Sequence, residues 1–137
     1  MKRTEKYPET ETFHYHNQNP HNRITGDCFY RALSYATKIP YNDVVLETAY
    51  IQCETGYCGE KVKEAFLKKH GFVKMPQPRH SDGTKFTMKD FVDTYKLGVY
   101  IVKLNHHLTV VEYGKNVDIW DCVKYGGCVG CYYVKTK

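Results

Sequence analysis

The chain has 137 residues, enough for one domain of ordinary size and too few for two. An aromatic content of 15% excludes a chain that is disordered throughout, and a mean hydropathy of -0.60 argues against a membrane-spanning helix. The 20 Lys and Arg side chains outnumber the 15 Asp and Glu side chains, but they are scattered. Neither nucleic acid nor a membrane is therefore predicted as the main partner.

Residues 1–21 are polar and are predicted to form an arm, either a short strand or a segment wrapped around the body. Residues 22–137 are predicted to form a single domain. The basic start at Met1–Lys6 has no apolar segment after it, which predicts that the chain carries no secretory signal. We therefore expect a cytoplasmic protein whose cysteines are reduced.

The remaining chain changes from helical to strand-like periodicity near Gly98. Helices are predicted over 28–38, 41–53, 60–70 and 87–95, with a loop over 72–83. Strands are predicted over 99–104, 108–113, 117–120 and 132–134. Helices followed by an antiparallel sheet indicate the α+β class.

Cys28 stands at the start of the first predicted helix, directly after Gly26 and Asp27. Unpaired backbone N–H groups and the positive end of the helix dipole at such a position favour the thiolate. The same N–H groups donate to an oxyanion, and Asn22 lies six residues earlier, within reach as a second donor. The alternative is that Cys28 is a small buried apolar residue.

A histidine and a carboxylate follow late in the chain. His106 and His107 begin a predicted strand, and Asp118 lies on the next strand, which a hairpin places alongside. A Cys, a His and an Asp in this order, with long gaps, are typical of a triad assembled in space. The alternative is that the histidines are half-exposed strand residues and Asp118 is a turn acid.

Two blocks of this sequence resemble the small papain-like cysteine peptidases that bacteriophages and prophages encode. In those peptidases the first block reads approximately Gly-Asp-Cys-x-x-Arg-Ala, and the second has a His, a short apolar strand, a Gly, an Asp and Trp-Asp. The matching residues here are Gly26, Asp27, Cys28, Arg31, Ala32, His107, Val110, Val111, Gly114, Asp118, Trp120 and Asp121. The resemblance covers about residues 22–121.

The resemblance implies a minimal papain-like fold, with the N-terminal helices packed on a C-terminal antiparallel sheet. It implies Cys28 as nucleophile, His107 as general base, Asp118 as orienting acid and Asn22 in the oxyanion hole. It favours His107 over His106 because of the spacing to Gly114. The chain departs from papain at two points, since papain has an amide as third member and a Gln where Asn22 stands.

The function expected from this site is a thiol-dependent hydrolase that cleaves a peptide or isopeptide bond without a cofactor. Its partner would be a protein or peptide, and a host protein if the chain is encoded by a phage. Two alternatives remain open. One is a catalytically silent papain-fold protein that binds or inhibits a partner, and the other is an acyl-transfer enzyme such as a transglutaminase or deamidase.

The other five cysteines leave a metal alternative open. Cys53 and Cys58 form one pair, Cys128 and Cys131 form a second pair, and Cys122 is a spare ligand. The two pairs together have the ligand number of a structural zinc site. Free thiols are the favoured interpretation, so no metal is predicted.

Overall fold

The computed structural model describes residues 1–136, which contain six helices and six strands. The helices are α1 (Arg3–Lys6), α2 (Cys28–Thr37), α3 (Tyr41–Thr55), α4 (Glu60–Lys69), α5 (Met88–Thr94) and α6 (Cys122–Tyr125). The strands are β1 (Phe13–Tyr15), β2 (Phe72–Met75), β3 (Val99–Leu104), β4 (His107–Glu112), β5 (Lys115–Asp118) and β6 (Cys131–Lys135). Within this range no helix has the length and apolar character that crossing a membrane requires.

All six strands belong to one sheet in the order β1-β5-β4-β3-β6-β2. The strand pairs are antiparallel except β1 and β5, which run parallel. The α+β class predicted from the sequence is confirmed. The prediction of a purely antiparallel sheet is wrong at this one edge, because a strand from the N-terminal segment joins the sheet there.

The N-terminal segment is tied to the sheet by backbone and side-chain contacts. Phe13 has no exposed surface, and it pairs with Asn116 of β5. The Arg3 guanidinium donates a hydrogen bond of 2.8 Å to the backbone oxygen of Ile119. Part of the predicted arm is therefore the outer strand of the sheet, beside the strand that carries Asp118.

The helices cover both faces of the sheet. Helices α2, α3 and α4 pack on one face through a core that includes Leu33, Phe66, Ile101, Val110 and Tyr133. Helices α5 and α6 pack on the other face. The second core includes Met88, Phe91, Val102, Val111, Cys122 and Tyr132. The alternation of Ile101 and Val102 between these cores follows from the period of two in a strand.

Three elements lie where the sequence did not predict them: α1 in the N-terminal arm, β2 and α6. Strand β2 occupies the start of the segment expected to be a loop, and α6 follows Asp121. In β2 only Phe72 is buried, whereas Val73 and Lys74 are exposed, so the alternation that marks a strand is weak. Its strand conformation comes from pairing with β6, a partner more than fifty residues away along the chain.

The start of α5 has the capping box that its sequence predicts. The Thr87 hydroxyl accepts a hydrogen bond from the N–H of Asp90, and the Asp90 carboxylate accepts one from the N–H of Thr87. Replacing Thr87 by alanine is expected to lower the free energy of unfolding by about 1 kcal/mol. Urea denaturation measures the change. Thr94→Ala, at the exposed end of the same helix, is the control, and an equal loss in both variants would contradict the capping role.

Candidate active site

Cys28 is the first residue of α2, as the sequence predicts, and it is partly buried. Asp27 occupies the N-cap position, but its side chain accepts no hydrogen bond from the first helical turn. The backbone N–H groups of this turn therefore have no side-chain cap. They and the helix dipole stabilise negative charge at the Cys28 sulfur.

The Asp27 carboxylate instead holds the loop and helix around Cys28 together. It forms a buried ion pair with Arg31, one turn further along α2. It also accepts hydrogen bonds of 2.7 Å from the Asn19 amide and 3.0 Å from the Tyr41 hydroxyl. These contacts connect the loop before Cys28 to α2 and α3, so they fix the position at which the helix begins.

A tight turn places His107 at the start of β4. Strands β3 and β4 are joined by Asn105 and His106 alone, and Leu104 pairs with His107 across the turn. His106 has a φ of 56°, in the left-handed region, which histidine adopts more readily than most residues do. His106 is exposed, whereas the side chain of His107 is mostly buried.

His107 and Asp118 form a short hydrogen bond, with His107 Nε2 2.6 Å from Asp118 Oδ2. This bond leaves Nδ1 of the imidazole as the nitrogen available to the Cys28 sulfur. The Trp120 ring packs against the imidazole at a centroid distance of 4.8 Å. It shields the histidine–carboxylate pair from water, which strengthens the interaction between them.

Asp118 is held by further donors, and only 6% of its surface is exposed. The Thr109 hydroxyl donates to Oδ2 at 2.5 Å, and the N–H of Ile119 donates to Oδ1 at 2.6 Å. Burial raises the pKa of the Asp118 carboxyl, but the bonds to His107 and Thr109 hold that pKa below its ordinary value. Asp118 is therefore ionised at neutral pH and fixed in one orientation.

The environment of the Cys28–His107 pair favours the ionised forms of both groups. Burial raises the pKa of the Cys28 thiol, but the hydrogen bonds from His107 and the N–H of Leu108 bring that pKa below its ordinary value. Burial lowers the pKa of His107, but its hydrogen bonds to Asp118 and Cys28 raise that pKa to about 9. Both shifts favour the thiolate and imidazolium forms of the pair over the neutral thiol and imidazole.

Arg31 connects the two halves of the site. Its guanidinium pairs with Asp27, and Nη2 lies 3.8 Å from Asp118 Oδ1. Only 7% of Arg31 is exposed, so these charges interact away from bulk water. The sequence motif contains Arg31, but its spacing alone assigns no role, because the contact with Asp118 depends on how α2 packs against the sheet.

Cys122 is a second thiol near the triad that the sequence did not place there. It is fully buried, and its sulfur lies 3.4 Å from Asp118 Oδ2 as a hydrogen-bond donor. Burial and the neighbouring Asp118 charge raise the pKa of Cys122 well above its ordinary value, so it stays a thiol. The sequence also did not predict Thr109 as a site residue, although it lies two residues after His107 and hence on the same side of β4.

Within residues 1–136 the two cysteine pairs of the zinc alternative do not form a group within reach of one ion. In residues 1–136 the only group of three potential ligands within reach of one ion is His107, Asp118 and Cys122. These three side chains are already connected by hydrogen bonds to Asp118. Over the same range all six cysteines are free, and three of them are exposed: Cys53, Cys58 and Cys128.

The Cys28 side chain borders two cavities. One is a narrow crevice of about 10 Å³ between α2 and β4, which Gln18, Arg31 and Asp118 also line. The other is an open cleft of about 280 Å³, which His106 and His107 also line. The first holds at most a water molecule, whereas the second has room for part of a substrate.

Asn22 lies on the loop before α2, but away from both cavities. It is exposed, has a φ of 57°, and donates its backbone N–H to the oxygen of Asn19. The structure thus brings Cys28, His107 and Asp118 together, and the oxyanion role of Asn22 stays a prediction.

In comparisons with known proteins, no protein-family model, no curated protein and no solved structure matches the chain.

Proposed function

We propose that this protein is a thiol-dependent hydrolase that cleaves a peptide or isopeptide bond. The observation that carries the proposal is the pairing of Cys28 at a helix N-terminus with His107, which Asp118 orients from its other side. A buried cysteine with a structural role needs neither an imidazolium partner nor a lowered pKa. The resemblance to phage-encoded papain-like peptidases favours the same chemistry.

The reaction follows from the protonation states of this pair. The Cys28 thiolate attacks the carbonyl carbon of the substrate, and the backbone N–H groups at the start of α2 stabilise the oxyanion. The imidazolium of His107 donates its proton to the leaving amine, which gives a thioester on Cys28. His107 then takes a proton from water, the hydroxide attacks the thioester, and the acid leaves while the Cys28 thiolate and the His107 imidazolium are restored.

We propose a protein or peptide as the substrate, and a host protein if the chain is encoded by a phage. Reduced cysteines suit a reducing compartment, so we place the protein in the cytoplasm. The chemistry needs no metal or cofactor, because the thiolate, the imidazolium and the carboxylate supply the nucleophile, the acid and the orienting group.

The reactivity of Cys28 at low pH tests the nucleophile directly. At pH 6 iodoacetamide is expected to alkylate Cys28 at least about tenfold faster than it alkylates the exposed Cys53, Cys58 and Cys128, because the hydrogen bond from His107 lowers the pKa of the Cys28 thiol. The difference should shrink as the pH approaches 9, where ordinary thiols ionise and His107 loses its proton. Peptide mapping by mass spectrometry at several times gives each rate.

The variant His107→Ala is the matched control for this experiment. It removes the imidazolium and leaves Cys28 at the helix start, so the rate at Cys28 should fall to that of the exposed cysteines. A Cys28 in the native chain that reacts no faster than Cys128 would show that no activated thiolate exists. The proposal would then be wrong.

The products formed from a peptide substrate separate the competing functions. A transglutaminase or deamidase releases ammonia from a glutamine peptide, whereas a peptidase or isopeptidase produces a new amine from a peptide chain. A silent binding protein does neither. Ammonia release from glutamine peptides without chain cleavage would assign the site to acyl transfer.

A further inference from the structure

The open cleft beside Cys28 is bordered by three charged side chains that the triad does not use. Glu60 and Lys63 lie in the first turn of α4, and Lys103 lies on β3. They share the cleft with Cys28 and His107. Any substrate whose carbonyl reaches the Cys28 sulfur through this cleft therefore passes close to these charges.

The three groups form one ion-paired cluster with a surplus of positive charge. Lys63 Nζ donates to Glu60 Oε2 at 2.5 Å, and Lys103 Nζ donates to Glu60 Oε1 at 2.7 Å. Both carboxylate oxygens thus have a lysine partner. Two ammonium groups and one carboxylate leave a net charge of about +1 at this wall of the cleft.

Lys63 is the unusual member, because lysine is rarely buried. Its side chain is 2% exposed, and Nζ lies 5.3 Å from the centre of the Tyr133 ring. An ammonium has three N–H donors, and within residues 1–136 the only hydrogen bond that Lys63 Nζ makes is the one to Glu60. A buried cation with unused donors at the edge of a cleft is suited to receive an anionic acceptor.

A cationic substrate group is disfavoured at the same place. The Glu60 side chain is 55% exposed, but both of its oxygens are already paired with lysines, so a cation bound to it would meet the charges of both. The carboxylates of Asp27 and Asp118 already have Arg31 or His107 as a partner. The donors left open at this wall are those of Lys103, whose side chain is 37% exposed, and of Lys63 behind it.

We propose that this wall of the cleft is a subsite for a carboxylate of the substrate, with Lys63 and Lys103 as its ligands. The inference rests on the proposed function, because it assigns a substrate class to the same thiolate site. The carboxylate belongs either to an acidic side chain next to the scissile bond or to the C-terminus of the peptide. The chemistry of recognition is the same for both.

Three alkylating probes distinguish these sources and test the subsite. N-iodoacetyl-glutamine amide is neutral, N-iodoacetyl-glutamate amide carries a side-chain carboxylate, and N-iodoacetyl-glutamine carries a C-terminal carboxylate. The rate of each probe at Cys28 is divided by its rate with 2-mercaptoethanol, which removes differences in intrinsic reactivity. At least one anionic probe is expected to react about threefold to tenfold faster than the neutral one.

Charge-neutral variants identify the side chains responsible. Lys103→Gln and Lys63→Gln should each reduce the preference for the anionic probe, whereas Lys89→Gln, an equal charge change on the exposed face of α5, should leave it unchanged. Thermal unfolding shows whether Lys63→Gln is folded. Lys103 has a partly exposed side chain, so Lys103→Gln carries the test even if the other variant unfolds.

The outcomes separate this inference from the function on which it rests. If the neutral probe reacts with Cys28 no faster than with a free thiol, the proposed function is wrong. Fast reaction of all three probes at equal relative rates would overturn the subsite alone. A preference for anionic probes that survives in both lysine variants would belong to the His107 imidazolium, and this result also overturns the subsite.

Discussion

Substrate cleavage is expected to fall by about a thousandfold or more when Cys28 is replaced by alanine, because no other side chain supplies the attacking electron pair. The sulfur of Cys122 is fully buried and protonated, so it does not take over the reaction. The measurement incubates the protein with a peptide pool from digested cell extract and counts new amino termini by mass spectrometry.

Two further measurements make this result specific to the nucleophile. Cys53→Ala removes an exposed thiol at the end of α3 and should keep the full cleavage rate. The free energy of unfolding of Cys28→Ala should stay within about 1.5 kcal/mol of the native value, because the thiol is a small, partly buried group. Cleavage that continues undiminished in a folded Cys28→Ala protein would exclude the proposed mechanism.

Replacing Arg31 by methionine is expected to lower the free energy of unfolding by about 3–5 kcal/mol. The guanidinium is the buried partner of Asp27 and also faces Asp118, so its removal leaves two carboxylates close together without the charge between them. Methionine fills a similar volume, so the loss reports on charge more than on packing. Chemical denaturation at neutral pH measures the change.

The exposed ion pair of Lys89 and Asp93 provides the matched control. Lys89→Met breaks a helical pair of the same charge type in water, and it should cost less than about 1 kcal/mol. The double variant Arg31→Met with Asp27→Asn should be more stable than the sum of the single changes predicts, because each single change strands a buried charge. Additive losses would show that Arg31 stabilises the protein by packing alone.

The parts of the fold that the sequence predicted are those set by local patterns. Helix α2 follows from the apolar spacing of Ala32, Leu33 and Ala36, and the β4–β5 hairpin follows from strand-like segments on both sides of a turn at Gly114. Strand β1 is different. Its three residues have no usable period, and only their distant pairing with β5 makes them a strand.

The candidate site likewise contains residues that local sequence patterns predict and residues that depend on long-range packing. The sequence identifies Cys28, His107 and Asp118 because a helix start, a strand start and a hairpin partner are local features. Arg31, Cys122 and Lys63 were not predicted as neighbours of the site, since each reaches it through packing between elements that are far apart in the chain. Lysine at position 63 also gives no signal of burial, because this residue type is normally exposed.

The parallel pairing of β1 with β5 affects the order in which parts of the chain fold. The Arg3 side chain and the Ile119 oxygen that it binds are 116 positions apart, so this contact forms only after residue 119 has been synthesised. The segment that carries Arg3 and β1 therefore waits for a distant partner, and contacts of such long range form slowly. Because β5 also carries Asp118, a nascent chain can align the His107 imidazole only after β5 has been synthesised and has paired with β4.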